Sequence, residues 1–166
     1  MNLKIRAMSA GDKPVVMQML RKMPEFKPAE VVVAEEVLDS YLGDPVKSGY
    51  NIFVAEIDST VAGYVCYGPT PLTEATWDIY WIAVSPGRQS RGIGKQLLAS
   101  AEQAIIKNKG RLAIIETSSL PIYESARRFY DAQGYELSCR IADYYAAGDD
   151  KLILLKRLDV PNRSVP

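Results

Sequence analysis

Hydrophobic and polar positions divide the chain into short alternating runs and longer helical ones. Leu3-Lys4-Ile5-Arg6 alternates and predicts a short strand. Ser9 with Asp12 forms a helix-start signal, followed by apolar positions Val15, Val16, Met19, Leu20 and Met23 at helical spacing. Pro24-Glu25-Phe26-Lys27-Pro28 is a rigid break, and Glu30 to Leu42 predicts a second helix carrying Val33, Val37, Leu38 and Tyr41, closed by Gly43 and Pro45. Residues 51–57 and 61–67 predict a hairpin turned at Asp58-Ser59. From Trp77 to Val84 both alternating sets are apolar apart from Asp78, which predicts a strand buried on both faces. Ile93, Leu97, Leu98, Ala101, Ala104 and Ile105 then recur at helical spacing, with Gly110 as the expected C-terminal cap. Leu112 to Glu116 is a short apolar strand, Ile122 to Gln133 a helix stopped at Gly134, and Tyr135–Tyr145 with Lys151–Leu158 a final strand pair around Gly148-Asp149-Asp150.

This order of elements combines hairpins with two helical crossovers, so the sheet should be mixed and the fold class α/β of the α+β kind. A chain of 166 residues that is 48% hydrophobic and 24% charged suits one globular domain, here residues 1–160, with 161–166 as a loose tail. Twenty basic residues balance twenty acidic ones, which gives no global reason to expect nucleic acid or an anionic membrane surface as partner. The start Met1-Asn2-Leu3-Lys4 lacks the apolar segment of a signal peptide, and the expected location is cytoplasmic. The absence of histidine removes Ser–His–Asp hydrolysis and His-ligated metal sites, and no metal is expected. Cys66 and Cys139 fall in strand-like runs without CxxC spacing and are expected to be free, buried thiols.

The turn Val84-Ser85-Pro86-Gly87-Arg88-Gln89-Ser90-Arg91-Gly92-Ile93-Gly94-Lys95 joins a strand to a helix, carries three basic residues and contains no carboxylate. A helix start offers unpaired N–H groups and a partial positive charge, and glycines let an anion approach them. The segment is a candidate pyrophosphate cradle. It is not a Walker loop, because Ile93 and Gly94 occupy the Lys and Ser/Thr positions. It is not a dinucleotide fingerprint either, because Leu97 stands where the third glycine would be.

The pattern Gln89-x-x-Gly92-x-Gly94 after Ile82-Ala83-Val84-x-Pro86, followed later by Ala126-x-x-Phe129-Tyr130-x-x-x-Gly134-Tyr135, resembles the GCN5-related N-acetyltransferase (GNAT) superfamily. The resemblance is densest over 76–135 and extends to roughly 3–158. It implies the acyl-CoA N-acyltransferase fold: a mixed, mainly antiparallel seven-stranded sheet, splayed after the fourth strand, with about four helices. It implies acetyl-CoA as cofactor, its pantetheine arm pairing with the backbone of Ile82, Ala83 and Val84. Its pyrophosphate would lie on the amides of Arg91, Gly92, Ile93, Gly94 and Lys95, with Gln89 shaping the turn. Where many members carry an Asn that bonds pantetheine, this chain has Tyr123, which takes that place among the cofactor residues.

Acetyl transfer from a thioester to an amine needs a neutral amine, a stabilised oxyanion and a proton for the leaving thiolate. By the resemblance, Tyr130 is the general acid, and a phenol with an ordinary pKa near 10 suits that step. Glu116, at the end of an apolar strand, matches a position where ribosomal-protein alanine acetyltransferases carry a basic Glu; Asp78 is the other candidate base. Both also admit purely structural readings, as strand carboxylates bonded to neighbours. Tyr64, Tyr67, Tyr80, Tyr144 and Tyr145 either line an acceptor pocket or pack a core. Asp143-Tyr144-Tyr145 with Asp149-Asp150 is similar to the tyrosine and acidic segment of protein N-terminal acetyltransferases. The expectation is direct transfer to a primary amine, on a small molecule or a peptide end, by a monomer or homodimer. The alternatives are an acyl-CoA-binding module without turnover and a partner-assembly subunit of the same fold.

Overall fold

The computed structural model describes residues 2–158. Among them the elements run β1 (Leu3–Ala7), α1 (Lys13–Arg21), α2 (Pro28–Gly43), α3 (Pro45–Ser48), β2 (Asn51–Ile57), β3 (Thr60–Pro69), β4 (Thr76–Val84), α4 (Ile93–Lys107), β5 (Leu112–Ser118), α5 (Glu124–Ala132), β6 (Glu136–Ala146) and β7 (Asp149–Arg157). The sheet has seven strands in the order β1-β2-β3-β4-β5-β7-β6. Its β4–β5 pair is parallel, and the β1–β2, β2–β3, β5–β7 and β6–β7 pairs are antiparallel. The mixed sheet expected from the order of elements is therefore present. The expected tail 161–166 lies outside the described residues.

The chain divides into two compact units, one made of the segments up to Pro69 and Ile79–Ala101, the other of Thr70–Asp78 and the segments from Glu102 onward. In the first unit, β3 is buried on both sides. Tyr64 and Cys66 join Met17, Met19, Leu20, Val37 and Leu38 of α1 and α2 in one apolar cluster. On the other side, a Cβ at Gly63 would lie 3.1 Å from Leu97 of α4 and 2.7 Å from the Ala83 carbonyl, so the glycine permits close packing there. Asp58 (φ 47°) and Ser59 (φ 65°) are both left-handed, which matches the right-handed twist of the β2–β3 hairpin. Arg6 bridges Asp12 and Glu56, at 2.7 Å to each, and ties β1 to β2 and to the turn before α1.

In the second unit, Ala113, Ile115, Leu152 and Leu154 form the buried side of β5 and β7. The antiparallel register places Glu116 opposite Ile153, and the parallel β4–β5 ladder covers Thr76↔Leu112, Trp77↔Ala113 and Asp78↔Ile114.

Four sequence expectations change. The helices among the described residues number five rather than about four, because Asp44 accepts bonds from Val46 and Lys47 and starts the short α3. The strand 76–84 has the expected bounds but is only part-buried: Ile79 and Ala83 are covered, while Tyr80 is 37% exposed. An apolar face on a strand shows that it can be covered, not that the chain itself covers it. Gly110 is not the left-handed residue closing α4; Lys109 (φ 62°) is. The Gly110 N–H returns to the Ile105 carbonyl at 2.8 Å, and a Cβ at Gly110 would collide with Ile105 and the Trp77 indole. Cys139, expected to be buried, is exposed on β6 at the edge of the sheet, whereas Cys66 is buried as expected.

Candidate active site

The cradle belongs to the first unit. Past Val84 the chain turns with an Arg88 N–H to Ser85 carbonyl bond of 3.0 Å, and Gly87, Ser90 and Gly92 all take left-handed conformations. The Gln89 side-chain amide donates to the Val84 carbonyl at 3.4 Å. The first bond of α4 runs from the Gln96 N–H to the Gly92 carbonyl, 3.1 Å, so the amides of Ile93, Gly94 and Lys95 lie in the first turn, where no intrahelical acceptor exists. Ile93 is buried and anchors that turn, while Arg91, Gly92 and Lys95 are exposed. A Cβ at Gly92 would meet nothing within 4 Å, which leaves the approach to these amides open. Donors, exposed cations and an unobstructed backbone fit a pyrophosphate. Before this turn, Ile82 and Val84 are half-buried and Ala83 is buried.

The proposed acid and bases belong to the second unit. Tyr130 is the one buried residue of α5. Its ring lies 5.3 Å from that of Phe129 and 6.1 Å, edge-on, from that of Tyr135. Burial pushes its phenol above the ordinary tyrosine value, so it holds its proton at neutral pH. Tyr123 stands at the N-cap of α5, after the helical turn Pro121–Tyr123.

Asp78 and Glu116 share a face, because Asp78 pairs with Ile114, two residues before Glu116 on β5. The Asp78 carboxylate accepts the Thr70 hydroxyl at 2.6 Å. Glu116 is paired with Lys151 at 2.6 Å; the lysine side chain is 12% exposed and the glutamate 48%. Burial disfavours the Lys151 ammonium, but the hydrogen bonds and charges of Glu116 and Tyr144 together outweigh it and the net shift is upward. Lys151 also lies 4.4 Å from the centre of the Tyr144 ring. Sequence reasoning missed Lys151, because only the strand register brings it next to Glu116.

The tyrosines divide accordingly. Tyr64 and Tyr67 are core, whereas Tyr80, Tyr144 and Tyr145 are exposed. Asp149 and Asp150 are buried structural groups rather than a free acidic patch. Asp149 takes the Ser118 hydroxyl, and Asp150 takes the Arg140 guanidinium and the Asp143 N–H.

Comparison with known proteins identifies the family. The family profile of the acetyltransferase (GNAT) domain matches residues 48–137. A GNAT-family protein from Desulfovibrio desulfuricans is 38% identical, with a TM-score of 0.91 over 95% of this chain and 99% of its own. The ribosomal-protein-S18-alanine N-acetyltransferase of Escherichia coli shares the fold at 17% identity, with a TM-score of 0.76 over 99% of each chain. So does the PaiA N-acetyltransferase of Thermoplasma acidophilum, solved with coenzyme A, at 16% identity and a TM-score of 0.75 over 95% of this chain and 99% of its own. The chain belongs to the GNAT acetyltransferase family, whose cofactor is acetyl-CoA.

Proposed function

We propose that this acetyltransferase moves the acetyl group directly from acetyl-CoA to a primary amine, on a small molecule or a peptide N-terminus, within a ternary complex. The observation that carries the proposal is the buried, protonated Tyr130 phenol, in a chain whose buried cysteine cannot serve as an acyl carrier. Burial pushes the Cys66 thiol up to about 12, so it remains a thiol at neutral pH, and the thiolate is the nucleophilic form.

Acetyl-CoA supplies a thioester whose acyl carbon an amine can attack and whose sulfur leaves as a thiolate. The chain's residues would hold and move the charges around that exchange. The amides of Arg91 to Lys95 would bind the pyrophosphate and the backbone of Ile82, Ala83 and Val84 the pantetheine arm, and Tyr123 would take the place of the pantetheine-bonding Asn of many family members. Tyr130 gives its Oη proton to the departing sulfur; a phenol with a raised pKa delivers it as the C–S bond breaks and not before. Glu116 takes the proton released by the attacking nitrogen. It is favoured over Asp78 because its side chain is half exposed; both carboxylates are engaged, that of Glu116 by Lys151 and that of Asp78 by Thr70. Acid and base serve different atoms, sulfur and nitrogen, and need not touch.

The E. coli relative acts on a ribosomal-protein alanine, and another fold relative is an aminoglycoside 6'-N-acetyltransferase. Both acceptors are amines, and both fit the acceptor class proposed here. Among the described residues no helix is long and apolar enough to cross a membrane. A cytoplasmic enzyme without nucleic-acid or membrane partners, monomeric or homodimeric, completes the proposal.

The test is CoA release measured with a panel of amines, N-terminal peptides, alcohols and nucleotides. Tyr130→Phe should lower kcat by about 10²-fold with little change in KM for acetyl-CoA. Glu116→Gln should alter the pH–rate profile more than Asp78→Asn. Turnover confined to alcohols or nucleotides, or near-normal kcat in Tyr130→Phe, would overturn the mechanism.

A further inference from the structure

We infer that Glu102, Tyr135 and Lys156 form a positioning network for Tyr130, so that the phenol's contribution to catalysis depends on a carboxylate of α4 that never touches the reacting atoms. The inference rests on the role proposed above for Tyr130.

The Glu102 side chain is only 14% exposed, and its carboxylate is held from two sides. Tyr135 donates its hydroxyl to Glu102 Oε1 at 3.0 Å, and Lys156 Nζ donates to both carboxylate oxygens, at 3.0 and 2.9 Å. The same ammonium lies 5.6 Å from the centre of the Tyr135 ring. Tyr135 itself is 2% exposed. Its hydroxyl and ring face are therefore fixed by charged groups belonging to α4 and β7.

Two contacts pass that position on to Tyr130. The Tyr135 N–H donates to the Tyr130 carbonyl at 3.1 Å, which caps the end of α5. The Tyr135 ring also packs against the Tyr130 ring at an interplanar angle of 63°. Tyr130 is the one buried side chain of α5, and Arg127 ties the middle of this short helix to the Ser118 and Leu120 carbonyls at 2.7 and 2.9 Å, so the Tyr135 contacts hold its C-terminal end. A small rotation would move the Tyr130 hydroxyl away from the sulfur it must reach. Proton transfer needs a heavy-atom separation of about 2.6–3.2 Å, and a misplacement of about 1 Å can lower a rate about 10²-fold.

The chemistry of the three groups favours positioning over simple stability. Phenylalanine at 135 would supply the same ring packing. The hydroxyl adds a direction, because it bonds a carboxylate that Lys156 already holds in place. A partly buried Glu–Lys pair contributes little net stability compared with apolar packing, but it defines orientation.

The experiment is a double-mutant cycle on the full chain, with kcat at saturating substrates, KM for acetyl-CoA and Tm measured for every variant. Tyr135→Phe and Glu102→Gln should each lower kcat by about 10-fold and leave KM for acetyl-CoA within about 2-fold. In a Tyr130→Phe background the same substitutions should change kcat by less than about 2-fold, because the group they position is gone. Lys156→Arg should retain activity and Lys156→Met should lose it in parallel with Glu102→Gln. If Glu102→Gln fails to fold, Tyr135→Phe, which removes a single hydroxyl, carries the test alone. An equal loss in both backgrounds, or no loss with Tyr130 present, overturns the inference while Tyr130 keeps its role. A neutral Tyr130→Phe removes the role itself and the inference with it, and is seen in the single variant.

Discussion

Replacing Gly92 with alanine and with glutamate separates two things the glycine supplies. Its φ of 76° is a left-handed conformation, and a Cβ there would meet nothing within 4 Å. Alanine therefore clashes with no part of the chain, and its cost is backbone strain of about 1–2 kcal/mol. For a domain of this size that corresponds to a fall in Tm of roughly 2–8 °C. If a phosphate lies on the amides of Ile93, Gly94 and Lys95 as proposed, a methyl group at Gly92 would hold it back from them. A hydrogen bond to a charged group contributes about 1.5–3 kcal/mol, and losing one raises Kd for CoA by roughly 10- to 100-fold. Wild-type protein at about 100 times Kd should gain about 2.7 kcal/mol from CoA, and Gly92→Ala should keep only about 0.4–1.4 kcal/mol of it at the same concentration. Glutamate carries the same strain and adds like charge. At about 5 Å, with an effective dielectric of about 20–80, each phosphate charge costs about 1–3 kcal/mol more, and salt should reduce the penalty. Thermal unfolding and calorimetric titration with CoA, with pantetheine as a ligand lacking the pyrophosphate, measure all of this. CoA affinity within twofold of wild type in both variants, or tighter binding by glutamate than by alanine, would refute the cradle.

Two other predictions are independent of the chemistry. The Arg6 guanidinium holds the Asp12 carboxyl down at about 2, below its ordinary 3.8, so its stabilisation is complete above pH ~4 and is lost as the pH falls from ~4 to ~2. That shift corresponds to about 2 kcal/mol, to be read from urea unfolding across this range, and Asp12→Asn should flatten the dependence. A thiol reagent at pH 8 should modify one cysteine rapidly in the native protein, and Cys139→Ser should abolish that reaction, because Cys66 is buried with its thiol raised to about 12. Two rapidly reacting thiols would contradict the placement of Cys66.

The parts of the fold legible in the sequence are those whose signals are local. The strand Thr76–Val84 emerged from an apolar run interrupted only by Asp78, and the start of α4 at Ile93 from the change to helical spacing after a glycine. The Asp58-Ser59 turn was visible because two short polar residues between strands admit few geometries. What failed was non-local. Alternation places Cys139 on one face of a strand, but it cannot show that β6 is an edge strand paired to β7 alone. The residue closing α4 was assigned to Gly110 on the usual preference for glycine. Lys109 instead takes the left-handed conformation, and Gly110 is required for the space beside Ile105 and Trp77.

The same division runs through the candidate site. The proposed cradle was readable because what it would do lies in the backbone of one continuous segment, where glycine, a helix start and the lack of carboxylates are all sequence properties. A carboxylate has no such signature, because its role is decided by whatever partner the fold brings to it. Asp149 and Asp150 were similar to an acidic segment of protein N-terminal acetyltransferases, but Ser118 and Arg140 engage them. Glu102 gave no signal at all; Tyr135 and Lys156, distant in sequence, complete its site. Glu116 lies between these cases. Its strand-end position marked it as a base, yet its partner Lys151 is 35 residues away and is brought to it by the β5–β7 register. When Glu116 takes the amine proton, Lys151 loses its counter-ion while still largely buried, which opposes the transfer; the Tyr144 ring beside the ammonium offsets part of that cost. If Glu116 is the base, the acceptor amine therefore has to reach it largely deprotonated, and activity should rise with pH until the amine itself has titrated.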